Sequence, residues 1–379
     1  MNACPHRPPC PGCPRFGERG ISPAAKSALD QLARDHGLPP VRVESGSLQG
    51  FRLRARIAIR GRRRAPKLGL FESGSHRIVT IPSCSVQHPL INHVSAVVRR
   101  ALVDADIPPY SDMAHEGLAR YLQVVVERSS QRAQVVLVGH CERPDPLAPA
   151  LDLIRERLGD DLHSLWFNAN THRGNAILGP HFVNWHGPHC VVEQFGGADI
   201  HYPPGAFGQS NLEIAERIIE HLRAGLPSAA RVAEFYAGVG AIGLSLVGAA
   251  QHLVLNEVSP ASLDGLARGI DGLEQRHRAK VEVVPGAAGE AVQAMQGADV
   301  VIVDPPRRGL DAPLRAALCA HPPRLLQYVS CSIDSLRHDL AALTQGGALR
   351  LTALMAFNLM PYTEHVETVA RLESATVPA

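Results

Sequence analysis

No stretch of the 379 residues approaches the roughly 20 consecutive apolar positions that a membrane-spanning helix requires, which excludes a helical membrane protein. The opening residues, MNACPHRPPCPGCPRFG, also lack the apolar core of a secretory signal, so a cytoplasmic location is expected. Net charge is scarce as well, only +2 over the whole chain. That small sum hides a division: residues 1–205 hold 24 Lys and Arg against 18 Asp and Glu, which leaves 14 against 18 for the remainder. A phosphate-rich partner would therefore meet the first half. What is present in quantity is hydrophobic material, 45% of the residues, enough to bury the cores of two or three soluble domains. Eight cysteines in a reducing compartment favour metal ligation, catalysis or packing over a disulfide framework.

The first 20 residues combine Cys4, Cys10 and Cys13 with five prolines, a composition suited to a ligand loop and not to a helix. A short helix is expected over 23–36. From Phe51 to Ile59 apolar residues alternate with Arg52, Arg54 and Arg56, the period of a half-buried strand with an arginine face, and Arg60, Arg62, Arg63, Arg64 and Lys67 extend the charge. The middle third shows strand-like runs at Gln123–Val126 and Gln134–Val138 and a helix near Pro149–Leu158, an α+β pattern. After about residue 206, short apolar runs alternate with amphipathic stretches: Arg231–Tyr236, His252–Glu257, Val281–Val284, Asp299–Val303, Leu325–Val329, Leu349–Phe357 and His365–Leu372. That rhythm predicts an α/β unit with a parallel sheet and crossover helices.

In EFYAGVGAIGLSL an apolar strand runs directly into Gly238, Gly240 and Gly243, so backbone can approach a ligand at the strand's carboxyl end. The next strand ends at Glu257, an acid placed for ribose hydroxyls. This arrangement binds adenosine without distinguishing a nicotinamide dinucleotide from S-adenosylmethionine. The strand over Val300–Val303 separates the two, because it ends in DPPRRGL. An Asp-Pro-Pro turn there resembles the substrate-side motif of class I methyltransferases, and Arg307 stands where amino-directed enzymes carry an aromatic residue.

YVSCS places Cys331 just past a strand end, where open α/β sheets gather reactive groups. A thiolate there can add to carbon 6 of a uracil and make carbon 5 a nucleophile toward a sulfonium methyl group. A base must then remove the carbon 5 proton. MPYTEHVETV offers His365 and Glu367, two positions apart at the start of an expected strand and so on one face of it.

GQSN, EFYAGVG, DPPRRGL, YVSCS and MPYTEHVETV occur in the order found in the RNA uridine-5-methyltransferase family, and the resemblance covers most of residues 207–373. It implies a Rossmann-like class I domain at the carboxyl end. It also implies Cys331 as nucleophile, Glu367 as proton acceptor, and Gln209, Tyr236, Gly238, Gly240, Glu257 and Asp304 as the S-adenosylmethionine site. The chain departs from the family pattern at Glu234 and Ala237, usually Asp and Cys, at Ser332, usually Asn, and at Gly208, where the Phe-Phe-Gln-x-Asn motif has its second Phe. RNA cytosine-5 methyltransferases carry a second cysteine in the Asp-Pro-Pro region; DPPRRGL has none, so uracil is the expected base.

Cys4, Cys10, Cys13 and Cys84 could enclose one metal centre, and spacing alone leaves zinc and an iron–sulfur cluster equally open. The same spacing, together with KLGLFESGSHRIVTI, resembles the 4Fe-4S site of the rRNA-directed branch of the family. That resemblance implies a structural cluster and 23S rRNA as partner, with tRNA as the alternative. Cys141, Cys190 and Cys319 are assigned to packing. The expected division is 1–90 for the cysteine cluster and a basic RNA-contacting region, 91–205 for a central α+β RNA-binding domain, and 206–379 for the methyltransferase domain. The family's amino-terminal β-barrel domain is not expected, nor is a membrane or an obligate protein partner. A metal-containing RNA-binding protein without catalysis, built on the same scaffold, is the competing class.

Overall fold

The computed structural model describes residues 4–375, so the outermost residues of the first and third expected domains lie outside the described ones. Two large sheets organise the chain. One has eight strands, in the order Arg42–Glu44, Leu349–Phe357, Glu367–Ser374, Leu325–Ser330, Val300–Val303, Arg231–Phe235, His252–Glu257 and Val281–Pro285. All its pairings are parallel except those made by Glu367–Ser374, which is antiparallel to both neighbours. Val300–Val303 and Leu325–Ser330 are buried along their whole length, which is why the first is an unbroken apolar run and the second is apolar but for Gln327 and Ser330.

The second sheet has seven strands, ordered Ile78–Thr80, Ala65–Phe71, Arg54–Arg62, Ala119–Val126, Ala133–Gly139, Leu162–Ala169 and His181–His186. Helices Pro89–Asp104 and Ala148–Leu158 cover one face through Ile91, Val94, Val98, Leu151 and Ile154, all fully buried against Ile57, Ile59 and Leu122. A hairpin, Val191–Phe195 with Ala198–Tyr202, lies between the two sheets, its second strand packed on helix Pro260–Asp271.

These pairings correct the expected division at its first boundary. Arg54–Arg62, Ala65–Phe71 and Ile78–Thr80 share a sheet with the strands beyond residue 90. Helix Pro23–Asp35, capped by Ser22 Oγ accepting from the Ala25 amide at 3.1 Å, belongs instead to the carboxyl-terminal unit. Its Leu29 and Ala33 pack with Val41, Ala356 and Val366, and Arg42–Glu44 extends that unit's sheet. The arginine face is also narrower than expected. Arg60 is buried and held by Asp112 at 2.6 and 2.9 Å, and Arg63 pairs with Asp106 at 2.8 Å.

Candidate active site

The carboxyl ends of the parallel strands converge on one set of side chains. Asp304 follows Val300–Val303, Cys331 follows Leu325–Ser330, and the antiparallel strand begins with Glu367. Register brings the last two together. Ser330 pairs with Thr368, whose Oγ1 donates to the Ser330 carbonyl at 3.1 Å; Cys331 follows the first of these and Glu367 precedes the second, so both stand at the same end of the strand pair. The Glu367 carboxylate is the foremost charge acting on the Cys331 thiol, so the two residues singled out from the sequence as nucleophile and base lie together at this end of the sheet.

Their electrostatics are shared. Burial raises the Cys331 thiol above its ordinary value, the Glu367 and Asp304 carboxylates raise it further, and the Arg307 guanidinium pulls it back. Glu367, 5% exposed, is raised well above the usual carboxylate range by burial and by Asp304, again opposed by Arg307. Burial pushes Asp304 up to about 7. Sequence reasoning missed Arg307 as a member of this group; it read that residue only as the absence of an aromatic. Arg307 also lies 3.3 and 3.2 Å from the two ring nitrogens of His365. His365 itself is exposed where Glu367 is buried, a correction to the expected shared face, because the strand begins only at Glu367.

These neighbours fix a sign. A thiol raised by burial and two acids, with one cation in opposition, should alkylate faster as pH rises through and beyond neutrality, since only the thiolate reacts. Arg307→Ala should slow iodoacetamide labelling of Cys331 severalfold at any fixed pH between about 6 and 8, read at that peptide by mass spectrometry. A rate flat between about pH 6 and 8, or faster labelling in the variant, would contradict this electrostatic picture.

The glycine turn has the form a small ligand needs. Gly238 and Gly240 adopt φ of 59° and 82°, and a side chain at Gly238 would meet nothing within 4 Å, so that face of the turn is open. Glu257 accepts from the Gly238 amide at 2.7 Å and the Ser259 amide at 2.6 Å. Tyr236, in the left-handed region at φ 61°, accepts from the Asp311 amide at 3.1 Å and so ties the glycine turn to the segment after Asp-Pro-Pro. Glu234 lies beneath, fully buried with Oε2 unpartnered, its carboxyl raised well above the usual range by burial and Asp304.

Two departures from the family motif acquire reasons. Ser332 caps helix Ile333–Gln345, its Oγ accepting from the Ser335 amide, a task that serine and asparagine perform equally well. Gly208 leaves room for a packed pair: a Cβ there would sit 2.6 Å from both Arg54 Cζ and Tyr202 Cε1, and Arg54 stacks over that tyrosine at 4.3 Å. Gln209 follows, between exposed Phe207 and Asn211, which caps helix Leu212–Ala224 and donates to the Leu359 carbonyl at 3.0 Å.

The amino-terminal cysteines gather beside this centre. The Cys10 and Cys13 thiols are raised chiefly by burial, Cys13 to about 11, and each is raised further by Cys84 and Cys4. Asn92 grips the Cys84 backbone at 2.9 and 3.1 Å, and the His6 ring is bonded to the Ser83 carbonyl. Phe16 packs on Tyr362 with the rings tilted and their centroids 4.9 Å apart, and the Arg15 amide donates to the Tyr362 carbonyl, which anchors the loop to the segment leading into Glu367. Of the three remaining cysteines, Cys190 is buried and Cys141 half-buried, but Cys319 is exposed on helix Ala312–Ala320 and is not a packing residue.

An eight-stranded sheet in this order, with a glycine turn after one strand and acids at the carboxyl ends of its neighbours, defines a class I S-adenosylmethionine-dependent methyltransferase. The family model for tRNA (uracil-5-)-methyltransferase matches residues 194–375. An uncharacterized RNA methyltransferase of Protochlamydia amoebophila is 33% identical over 381 residues, 98% of this chain and 97% of that one. Another, of Thermosynechococcus vestitus, is 31% identical over 330 residues, 86% and 72% of the two chains. Among solved structures, the Pyrococcus abyssi tRNA (uracil-54, C5)-methyltransferase in complex with S-adenosyl-L-homocysteine shares the fold with a TM-score of 0.75 at 23% identity, over 91% of this chain and 81% of that one. The protein belongs to the S-adenosylmethionine-dependent RNA (uracil-5-)-methyltransferase family.

Proposed function

We propose that this protein methylates carbon 5 of a uridine in 23S rRNA, with Cys331 as nucleophile and Glu367 as base. The proximity of Cys331 and Glu367, at the same end of two paired strands with the carboxylate acting on the thiol, carries the reading. In the proposed sequence the Cys331 thiolate forms a bond to carbon 6, and the π electrons move toward oxygen 4. Carbon 5 then takes the methyl group as its bond to the sulfonium sulfur breaks, releasing S-adenosylhomocysteine. Glu367 removes the carbon 5 proton, and the electrons of that C–H bond restore the double bond and expel the thiolate. A carboxylate whose proton affinity is raised by burial is a better acceptor for this proton than one in water. Arg307, attractive to both groups, would hold the anionic forms in place before and after transfer.

S-adenosylmethionine would lie over the open face of Gly238, with Glu257 exchanging its backbone donors for ribose hydroxyls and exposed Val258 offering apolar surface. Tyr236, Gly240, Asp304 and Gln209 would border it. Cys4, Cys10, Cys13 and Cys84 would hold a 4Fe-4S cluster in preference to zinc. The fit is supported by Arg52, whose buried Nε has no partner and whose charge acts on Cys13: an unsatisfied cationic donor beside four thiolates suits an anionic centre. When bound, the cluster supplies a cross-link, because methyl transfer consumes no electron. The residues around it then hold the amino terminus against Met360 and Tyr362.

The cysteine motif favours rRNA, while the name of the matching family favours tRNA. Incubation of the protein and S-adenosylmethionine with separate unmodified 23S rRNA and tRNA pools, read by nucleoside mass spectrometry, decides between them. We expect 5-methyluridine in the rRNA alone. Its appearance in tRNA alone would keep the chemistry and overturn the substrate, and its absence from both, with cofactor bound, would favour a non-catalytic RNA-binding protein.

A further inference from the structure

The face of the seven-stranded sheet turned away from its helices carries a cavity of ≈ 730 Å³ that none of the residues assigned above to catalysis, cofactor or cluster lines. Its walls include Arg56, Phe71, Tyr110, His115, Tyr121 and Arg173. Aromatic residues are only 4% of the chain, so three phenyl or phenol rings at one cavity is a concentration. The rings are fixed in place. Arg60 lies 5.1, 5.4 and 4.9 Å from the centroids of Phe71, Tyr110 and Tyr121 while its charge is neutralised by Asp112. The other acid at the rim, Glu72, faces Arg77 at 3.6 Å. Arg56 and Arg173 differ: both are exposed, Arg56 bonds only the neutral Gln123 at 2.9 Å, and neither has a carboxylate partner among the described residues. Two unneutralised guanidinium groups over rigid aromatic walls suit a ligand that is both anionic and flat.

Position identifies where such a ligand comes from. Arg52, Arg54 and Arg56 occupy alternate positions leading into and along one strand, about 7 Å apart from one to the next. Arg52 reaches Met360 beside the cysteines, Arg54 packs at Gly208 on Tyr202, and Arg56 opens on the cavity. Gln123, the partner of Arg56, donates to the Pro204 carbonyl at 2.6 Å, just before the Phe207–Asn211 segment. The segment that forms the cavity wall thus starts beside the cysteine loop, its first two arginines largely buried and only Arg56 exposed at the cavity. We propose that the cavity receives a second unpaired nucleotide of the RNA substrate, a few nucleotides from the target uridine, and so contributes to target selection. The inference rests on the RNA methyltransferase reading above.

The test uses the full-length protein with 23S rRNA and tRNA transcripts sparsely substituted with 4-thiouridine. After irradiation, cross-linked peptides are mapped by mass spectrometry. Cross-links to the Gly69–His76 or Tyr110–Tyr121 peptides are expected, in addition to any near Cys331. In Arg56→Ala/Arg173→Ala they should disappear and RNA affinity should fall roughly tenfold, with S-adenosylmethionine binding unchanged. The single Arg173→Ala variant, at an exposed position, should show the same direction without risk to folding. RNA that binds and is methylated while both cavity peptides stay clean, or a double variant that binds RNA as tightly as the parent, would overturn this subsite alone. RNA that does not bind at all would overturn the function itself.

Discussion

Replacing Cys331 by alanine is expected to abolish 5-methyluridine formation while leaving S-adenosylmethionine binding intact. Without the sulfur, carbon 5 of uracil has no route to the enolate character that attacks a methyl group, so the loss should be large, on the order of 10⁴-fold or more. Binding should survive because the groups that border the cofactor, the Gly238 turn and Glu257, stand on other strands. Folding should survive because Cys331 is half-buried and its neighbours are held without it. Ser332 caps the following helix, and Thr368 is bonded to the Ser330 carbonyl. Methyl incorporation into RNA and calorimetric titration with S-adenosylmethionine, run on the same preparation, check both halves. Turnover within about tenfold of the parent would remove the covalent route, because that residual rate leaves the sulfur little to contribute.

Much of this site is legible in the sequence because its parts are local. A strand that runs into Gly238 and Gly240, or one that ends in Asp304-Pro305-Pro306, carries its geometry in consecutive residues, and the structure places each where the pattern implies. The helix Pro89–Asp104 was also within reach. Leu90, Ile91, Val94, Val98, Ala101 and Leu102 follow helical spacing behind an N-terminal proline, a signal the sequence reading passed over. Other features are decided by partners distant in the chain. Nothing near Arg60 reveals that Asp112 neutralises it, so a charge counted toward an RNA surface is buried structure. Nothing near Arg42–Glu44 reveals that it pairs with Leu349–Phe357, so sequence pattern alone cannot attach this early segment to the carboxyl-terminal unit. The proximity of Cys331 and Glu367 depends on the pairing of two separate strands, and Arg307 joins them only once those strands are set side by side.

Glu367→Gln is expected to convert turnover into a trapped protein–RNA adduct. Addition of Cys331 to carbon 6 and transfer of the methyl group to carbon 5 both precede the step that needs a base, so a variant lacking only the base should stop with the carbon–sulfur bond in place. Released 5-methyluridine should fall by about 10²- to 10⁴-fold, the usual contribution of a positioned general base. Glutamine keeps the size of the side chain, and its neutrality suits the site. An acid raised above its ordinary value binds its proton more tightly in the folded than in the unfolded protein, so the stability it contributes is lost as pH rises between those two values. The variant should therefore melt no lower than the parent at about pH 8, which separates lost chemistry from lost folding. Denaturing gels and intact-mass measurement detect the adduct, and dependence on S-adenosylmethionine locates the block. A stable adduct that appears only when the methyl donor is supplied stops after methyl transfer, at proton removal. Full turnover with no adduct would mean that another group takes the carbon 5 proton, and Asp304, the second raised acid acting on Cys331, would be the residue to replace next.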